Sequence, residues 1–386
     1  MSDAHQPTPP PSTINLLSFG GRIVSAAIAR LLSAPIRSSS KNGAPGLYKD
    51  VAYTAIRSML SDLTIAQTRY LHKPTSEIYE EFCKRENEEP KTVVTCDDVK
   101  GHWLGREDAD VVILFFHGGG YTQPCTIDHL HYLHRLVTDI NGNLFTTPGS
   151  PSISILVLAY SLAPEAPFPQ QLKEASSMLS FLLQDGKRSP TSVMLAGDSA
   201  GGSIALSLFS HLQKPHDGIP ELAISEPLRG AVLISPWMSF DTKHDSYVRN
   251  AEKDVCVESC LRKWGGMFLG TVEGETIPDV VSGGNNYNEP LLAPPSWWEG
   301  MHKLVSNVWV YGGADEIFVD PIRAFAGKFE EGWKAGGGGE EKVVLEIAED
   351  CAHIGPILDV MLQYEEKGKT QLGLEKWLKE VVVKAP

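Results

Sequence analysis

The stretch Val193-Met194-Leu195-Ala196-Gly197-Asp198-Ser199-Ala200-Gly201-Gly202-Ser203-Ile204-Ala205-Leu206 decides how this chain is read. A short apolar run comes first, then a serine flanked by small residues, then a segment in which apolar residues recur at helical spacing. The order is strand, sharp turn, helix. Small residues at 197 and 201 let strand and helix approach each other closely, and a serine held at such an elbow presents its hydroxyl to the space above the sheet. The helix that follows turns its positive end towards that space, so Ser199 is the candidate nucleophile and the amide of Ala200 a candidate donor to a developing anion.

Outward from this elbow, short β-branched runs alternate with longer helical patterns from about Val111 onward. That alternation predicts an α/β fold with a central, mostly parallel sheet flanked by helices. Strands are expected at Val111–Phe116, Ile153–Tyr160, Ser192–Ala196, Gly230–Ile234, Asn307–Tyr311 and Val343–Ile347, most of them apolar without interruption, as strands covered on both faces are. Helices are expected at Gln170–Leu183, Ala200–Leu212, Pro321–Trp333 and Leu372–Val382. Residues 91–386 thus read as the main domain. The N-terminal region 13–90 and an insertion at about 241–295 break the rhythm and are assigned to a helical cap. The insertion carries Trp264, Met267 and Phe268 among glycines and prolines, a composition suited to a cover over an apolar cleft and equally to plain core packing. Residues 1–12, rich in Pro, Ser and Thr, read as a disordered tail. Gly336–Gly339 reads as a flexible turn, because it lacks the spacing of a phosphate-binding loop.

A nucleophilic serine needs anion donors, a base and an acid. His117-Gly118-Gly119-Gly120-Tyr121 follows the strand Val111–Phe116, and glycines there expose backbone amides; Gly118 and Gly119 are the expected oxyanion donors beside Ala200. His117 is expected to brace that loop. In a fold of this kind acid and histidine follow the nucleophile in that order, on loops at the C-terminal edge of the sheet. Asp315, beyond the strand Asn307–Tyr311, is the expected acid, with Asp320 as its rival; His353, beyond the strand Val343–Ile347, is the expected base.

His117-Gly118-Gly119-Gly120, Gly197-Asp198-Ser199-Ala200-Gly201-Gly202 and Tyr160-Ser161-Leu162-Ala163-Pro164-Glu165 together resemble the hormone-sensitive-lipase branch of the α/β-hydrolase superfamily. Ser235-Pro236-Trp237 and the Gly-x-x-Asp setting of Asp315 extend the resemblance, which runs from about Trp103 to the C-terminus. It implies the α/β-hydrolase fold and a serine carboxylic-ester hydrolase acting on a small to medium, apolar ester through an acyl-enzyme, with no cofactor and no metal, beneath a cap made from the N-terminus and one insertion. Tyr121 and Trp237 are the expected pocket residues. A deacetylase, a lactonase or a cyclase of secondary metabolism would use the same fold, and a ligand-binding receptor without turnover is the alternative of another class; the retained Ser199, Asp315 and His353 favour chemistry.

Composition narrows the partners. The 386 residues carry 34 basic against 48 acidic side chains, a formal charge of -14 that repels nucleic acid and anionic surfaces. Six scattered cysteines and no cationic leader read as a reduced, cytoplasmic protein. Cys256 and Cys260 stand four apart without a companion pair at metal-ligand spacing, so they read as packing. Residues 14–36 are largely apolar but contain Arg22 and Arg30, and two mid-span arginines cost about 2.5–3.5 kcal/mol each on insertion scales. The segment therefore reads as an amphipathic helix lying on the cap; a peripheral contact with an intracellular membrane and the docking of a second copy as a homodimer are the other readings.

Overall fold

The computed structural model describes residues 10–37, 43–144, 151–274 and 281–383. The tail expected to be disordered falls mostly outside these, as do residues 275–280 of the insertion. Among the described residues, eight strands form one sheet: β1 (Thr92–Val94), β2 (Lys100–Leu104), β3 (Val111–Phe116), β4 (Ile153–Ala159), β5 (Val193–Asp198), β6 (Gly230–Ile234), β7 (Val308–Gly313) and β8 (Val343–Ala348). Their spatial order is β1-β2-β4-β3-β5-β6-β7-β8. β1 and β2 run antiparallel to their neighbours, and every pairing from β4 to β8 is parallel.

Side-chain alternation divides the core into two layers. Val112, Leu114 and Phe116 face one apolar cluster, while Val111, Ile113 and Phe115 face the other. The same two-residue period separates Leu195 from Met194 and Leu233 from Val232. This is why the strands read as unbroken apolar runs. Helices α1 (Thr13–Arg37), α2 (Leu47–Asp62), α3 (Ile65–Leu71) and α4 (Thr75–Glu86) precede the sheet; α5 (Ile127–Leu144), α6 (Gln170–Gln184) and α7 (Ala200–Gln213) connect its first half. The insertion contributes α8 (Asp245–Arg249) and α9 (Glu258–Phe268), and α10 (Val319–Ala335), α11 (Gly355–Met361) and α12 (Lys369–Val383) complete the chain.

Helices α2 and α9 pack on each other. Lys263 of α9 donates to the carbonyl of Leu63, and Arg57 Nη1 of α2 donates to the carbonyl of Asp254 at 2.5 Å. Helix α1 lies along α2: the largely buried Arg30 meets Asp50 through Nη2 at 2.6 Å and Glu252 through Nη1 at 2.7 Å, and the exposed Arg22 meets Asp62 at 3.2 Å. Phe19 is buried, whereas Ile14, Leu17, Leu32 and Ile36 are exposed. Residues Thr13–Ile36 are long and apolar enough to cross a membrane by length and composition.

Because the strands from β3 to β8 are parallel, the loops after Phe116, Asp198, Ile234, Gly313 and Ala348 all emerge at one edge of the sheet. That edge carries the site.

Candidate active site

Ser199 sits between β5 and α7 with φ 52° and ψ -121°, a conformation costly for any side chain and held here by its surroundings. Its amide donates to the carbonyl of Ile234 at 2.9 Å and its carbonyl accepts from the amide of Trp237 at 3.0 Å. The two glycines of the elbow are forced by contact. A Cβ on Gly201 would lie 1.9 Å from the carbonyl oxygen of Phe116, and one on Gly197 would lie 2.4 Å from the carbonyl carbon of Gly201.

The two residues expected as nucleophile and base lie together: His353 Nε2 is 2.9 Å from Ser199 Oγ. The acid differs. His353 Nδ1 lies 2.8 Å from Glu316 Oε2, whose other oxygen accepts the Gly313 amide at 2.7 Å. Asp315 is instead paired with Lys253 Nζ at 2.6 Å, while its amide donates to the carbonyl of Cys351. The expectation that Asp315 orients His353 is therefore corrected. Strand β7 runs on to Gly313, and in the turn that follows the next residue, fully buried Glu316, faces the imidazole. Asp320 caps the insertion, accepting from the Ser246 amide at 2.8 Å and from Arg249 at 2.7 Å.

A further buried carboxylate ties the two loops together. Asp254, in the insertion, accepts from the amides of Val255 at 2.7 Å, Ile317 at 2.8 Å and His353 at 2.9 Å. Asn250 adds donors to the carbonyls of Ala314 and Glu316. Sequence reasoning missed both Glu316 and Asp254. Glu316 stands beside the residue that spacing favoured; Asp254 has no motif around it.

Burial alone would lower the His353 pKa, but the hydrogen bond and charge of Glu316 and the charges of Asp254 and Asp198 outweigh it, so the imidazole stands above its ordinary 6.5. Burial likewise raises Glu316 and Asp254, against the stabilisation each carboxylate receives from His353 and from backbone amides. His117 is pushed down to about 4 by burial and is neutral. It stacks on Tyr160, whose hydroxyl donates to the His117 carbonyl at 2.7 Å, so it braces the glycine loop.

The loop corrects one expected donor. The Gly118 amide is already committed to Asp198 Oδ1 at 2.9 Å. Asp198 also meets His129 Nε2 at 3.2 Å. Gly119 and Gly120 border the cavity with Ser199 and His353, and among the described residues no protein acceptor takes their amides or that of Ala200. The cavity encloses about 180 Å³. Ile56, Met59 and Leu60 of α2, Trp264 of α9, and Leu358 and Met361 of α11 form much of its wall. Tyr121 and Trp237 do not reach it. Tyr121 is stacked on Phe268 with ring centroids 3.6 Å apart and lies 5.6 Å from Trp237, in a packed aromatic layer. No group of three or more metal-ligating side chains occurs among the described residues.

Residues 113–337 match the family model described as the alpha/beta hydrolase fold. The chain belongs to this α/β-hydrolase family. A 104-residue segment, 25% of this chain, is 36% identical to hormone-sensitive lipase of Homo sapiens over 8% of that protein. The chain is similar to an acetyl-hydrolase of Streptomyces hygroscopicus, 26% identical over 61% of this chain and 67% of that protein. It is also similar to steryl acetyl hydrolase 1 of Saccharomyces cerevisiae, 24% identical over 65% of this chain and 55% of that protein. The matched segments thus span between about half and two thirds of these last two relatives. A crystal structure of a hormone-sensitive lipase from a metagenome library superposes with a TM-score of 0.58 over 88% of this chain and 99% of that one, at 19% identity, a likeness of fold.

Proposed function

We propose that this α/β-hydrolase is a serine carboxylic-ester hydrolase in which Ser199, His353 and Glu316 form the catalytic triad. The observation that carries the reading is the continuous chain of hydrogen bonds, Ser199 Oγ to His353 Nε2 at 2.9 Å and His353 Nδ1 to Glu316 at 2.8 Å, at the floor of an apolar cavity. His353 Nε2 takes the Ser199 proton as Oγ bonds to the ester carbonyl carbon, and Glu316 stabilises the resulting imidazolium. The oxyanion is held by the amides of Gly119, Gly120 and Ala200. As the tetrahedral adduct collapses, the carbon–oxygen bond to the alcohol breaks and His353 delivers its proton to the leaving oxygen. Water then gives a proton to His353 and attacks the acyl-enzyme; Ser199 leaves with that proton and the carboxylic acid departs.

Asp198 acts as a positioning residue, since it holds Gly118 and so fixes the two amides that follow. Asp254 positions the acid and base loops together. Residues 13–90 and the insertion at 241–295 serve as the cap, with α2 and α9 meeting over the cavity. The relatives' names, an acetyl-hydrolase and a steryl acetyl hydrolase, support ester hydrolysis as the reaction class. Hydrolysis of p-nitrophenyl acetate tests it: wild-type protein turns the ester over, while Ser199→Ala and His353→Ala lose at least a thousandfold in kcat. Turnover unchanged in Ser199→Ala would overturn the assignment.

A further inference from the structure

We propose that the outward face of α1 is a docking surface for an electrically neutral lipid bilayer, with the helix lying in the plane of the membrane while its opposite face stays on α2. Such docking is independent of the ester-hydrolase reading above.

Between Thr13 and Ile36 the only charged residues are Arg22 and Arg30. Ile14, Leu17, Leu32 and Ile36 are 71–85% exposed, and Val24, Ile28 and Leu31 are about half exposed. At about 100° per residue these seven aliphatic side chains share one arc of about 140°, and no charged residue falls within it. Phe19, the one buried residue of 13–36, lies on the opposite side together with Arg30, which joins Asp50 and Glu252. Arg22 sits on the flank and reaches Asp62 of α2. Of the 19 exposed large apolar side chains among the described residues, 7 are therefore on this single helix, in a strip about 33 Å long. Lone exposed aliphatics are ordinary on a protein surface, whereas a continuous strip marks a contact.

A second copy of the chain fits this face poorly. Paired helices bury positions that repeat about every 3.5 residues, here Ile14, Leu17, Gly21, Val24, Ile28 and Leu31, and charged residues ordinarily flank such a seam. The flanks here are Ser18, Gly20, Ser25, Ala27 and Leu32, without a charge among them, and Ile36, 85% exposed, lies off the seam. A lipid surface covers the whole width of the strip and needs no charged flank. Spanning the bilayer is opposed by the other side of the helix. It would carry Arg30 into hydrocarbon and strand the buried Asp50, whose two oxygens accept from Arg30 Nε at 2.8 Å and Nη2 at 2.6 Å. Asn15 Oδ1, which accepts from Gln67 Nε2 of α3 at 2.6 Å, would lose its partner too. Because the strip carries no cation and the chain has a formal charge of -14, the matching surface is uncharged, and an anionic leaflet repels the protein. Helix α2 connects this face to the site: Asp50 and Asp62 hold α1, while Ile56, Met59 and Leu60 line the cavity, so docking brings the cap side of the cavity close to the membrane.

Flotation of the full chain with preformed phosphatidylcholine vesicles on a density gradient tests this, with thermal unfolding to establish that each variant is folded. The wild type is expected to float with the vesicles at low and at high salt alike, and phosphatidylserine in the vesicles weakens the binding. Leu17→Glu combined with Ile28→Glu places two charges on the strip and lowers the partition coefficient at least tenfold. Val248→Glu, at an equally exposed apolar residue of the insertion, leaves it unchanged. A folded wild type that stays off phosphatidylcholine overturns the proposal; if light scattering then finds a dimer that the double variant dissociates, the face belongs to a second copy. Binding that requires phosphatidylserine and disappears in salt, or flotation undiminished in the double variant, overturns it as well.

Discussion

Removing in turn the charge of each of two adjacent residues, Asp315 and Glu316, separates the acid that serves His353 from the one that does not. Glu316→Gln keeps the shape of the side chain but offers a single oxygen to two donors, the Gly313 amide and His353 Nδ1, which the carboxylate satisfies at 2.7 and 2.8 Å with one oxygen each. If the amide oxygen faces His353, an NH₂ group is pressed against the Gly313 N–H. If it faces Gly313, the NH₂ group confronts Nδ1, and the imidazole must carry its proton on Nε2, where it cannot accept one from Ser199. In either arrangement the imidazolium formed in the transition state has lost a fully buried counter-charge. Breaking such a pair costs about 3–5 kcal/mol. At 1.36 kcal/mol per decade this corresponds to a fall in kcat of about 150- to 5,000-fold. Asp315→Asn gives up a partly buried pair with Lys253 in which His353 has no share, and kcat stays within about fivefold of wild type. The assay is steady-state hydrolysis of p-nitrophenyl acetate, with thermal unfolding of each variant to establish that it is folded. A large loss in Asp315→Asn with Glu316→Gln near wild type would refute the reasoning.

Three further outcomes follow from the same geometry. Because His353 acts as a base only when neutral and its pKa stands above 6.5, the acid limb of the kcat/KM profile is expected at a midpoint above 6.5, with activity lost as pH falls through it. Asp254→Asn removes one of the negative charges that raise His353, so this midpoint moves to lower pH while kcat falls; a profile that stays in place would mean that Asp254 acts on neither. Gly201→Ala drives a methyl group to 1.9 Å from the Phe116 carbonyl and is expected to destabilise by about 3 kcal/mol or more, whereas Gly142→Ala, with open space around it in helix α5, is neutral or stabilising; urea unfolding midpoints compare the two.

Much of this fold is legible in the sequence because parallel strands covered on both faces leave unbroken apolar runs. The expected strands at Val111–Phe116 and Gly230–Ile234 coincide with β3 and β6, and the others differ by one or two residues at their ends. β1 and β2 were not expected. They are short and antiparallel, and β2 begins on Lys100 and carries His102, so their composition reads as loop. The site divides in the same way. Ser199 and His353 are fixed by the order of strand and loop, which spacing reveals. Choosing Glu316 over Asp315 depends on the turn after Gly313, where β7 runs two residues beyond its expected end. Gly118 differs from Gly119 only because the buried Asp198 claims its amide. Tyr121 and Trp237 follow motif residues directly, and nothing in their order separates an aromatic ring that lines a cavity from one that fills a core; here both fill it.

Labelling with a fluorophosphonate tests the central claim most directly, because phosphorus attack requires the activated serine and the oxyanion donors but no particular substrate. Intact-mass and peptide mass spectrometry of the wild-type chain should find one adduct, on Ser199, forming at least a thousandfold faster than in His353→Ala and absent from Ser199→Ala. An adduct on another residue, or an unlabelled wild-type chain that is fully folded, would contradict the account.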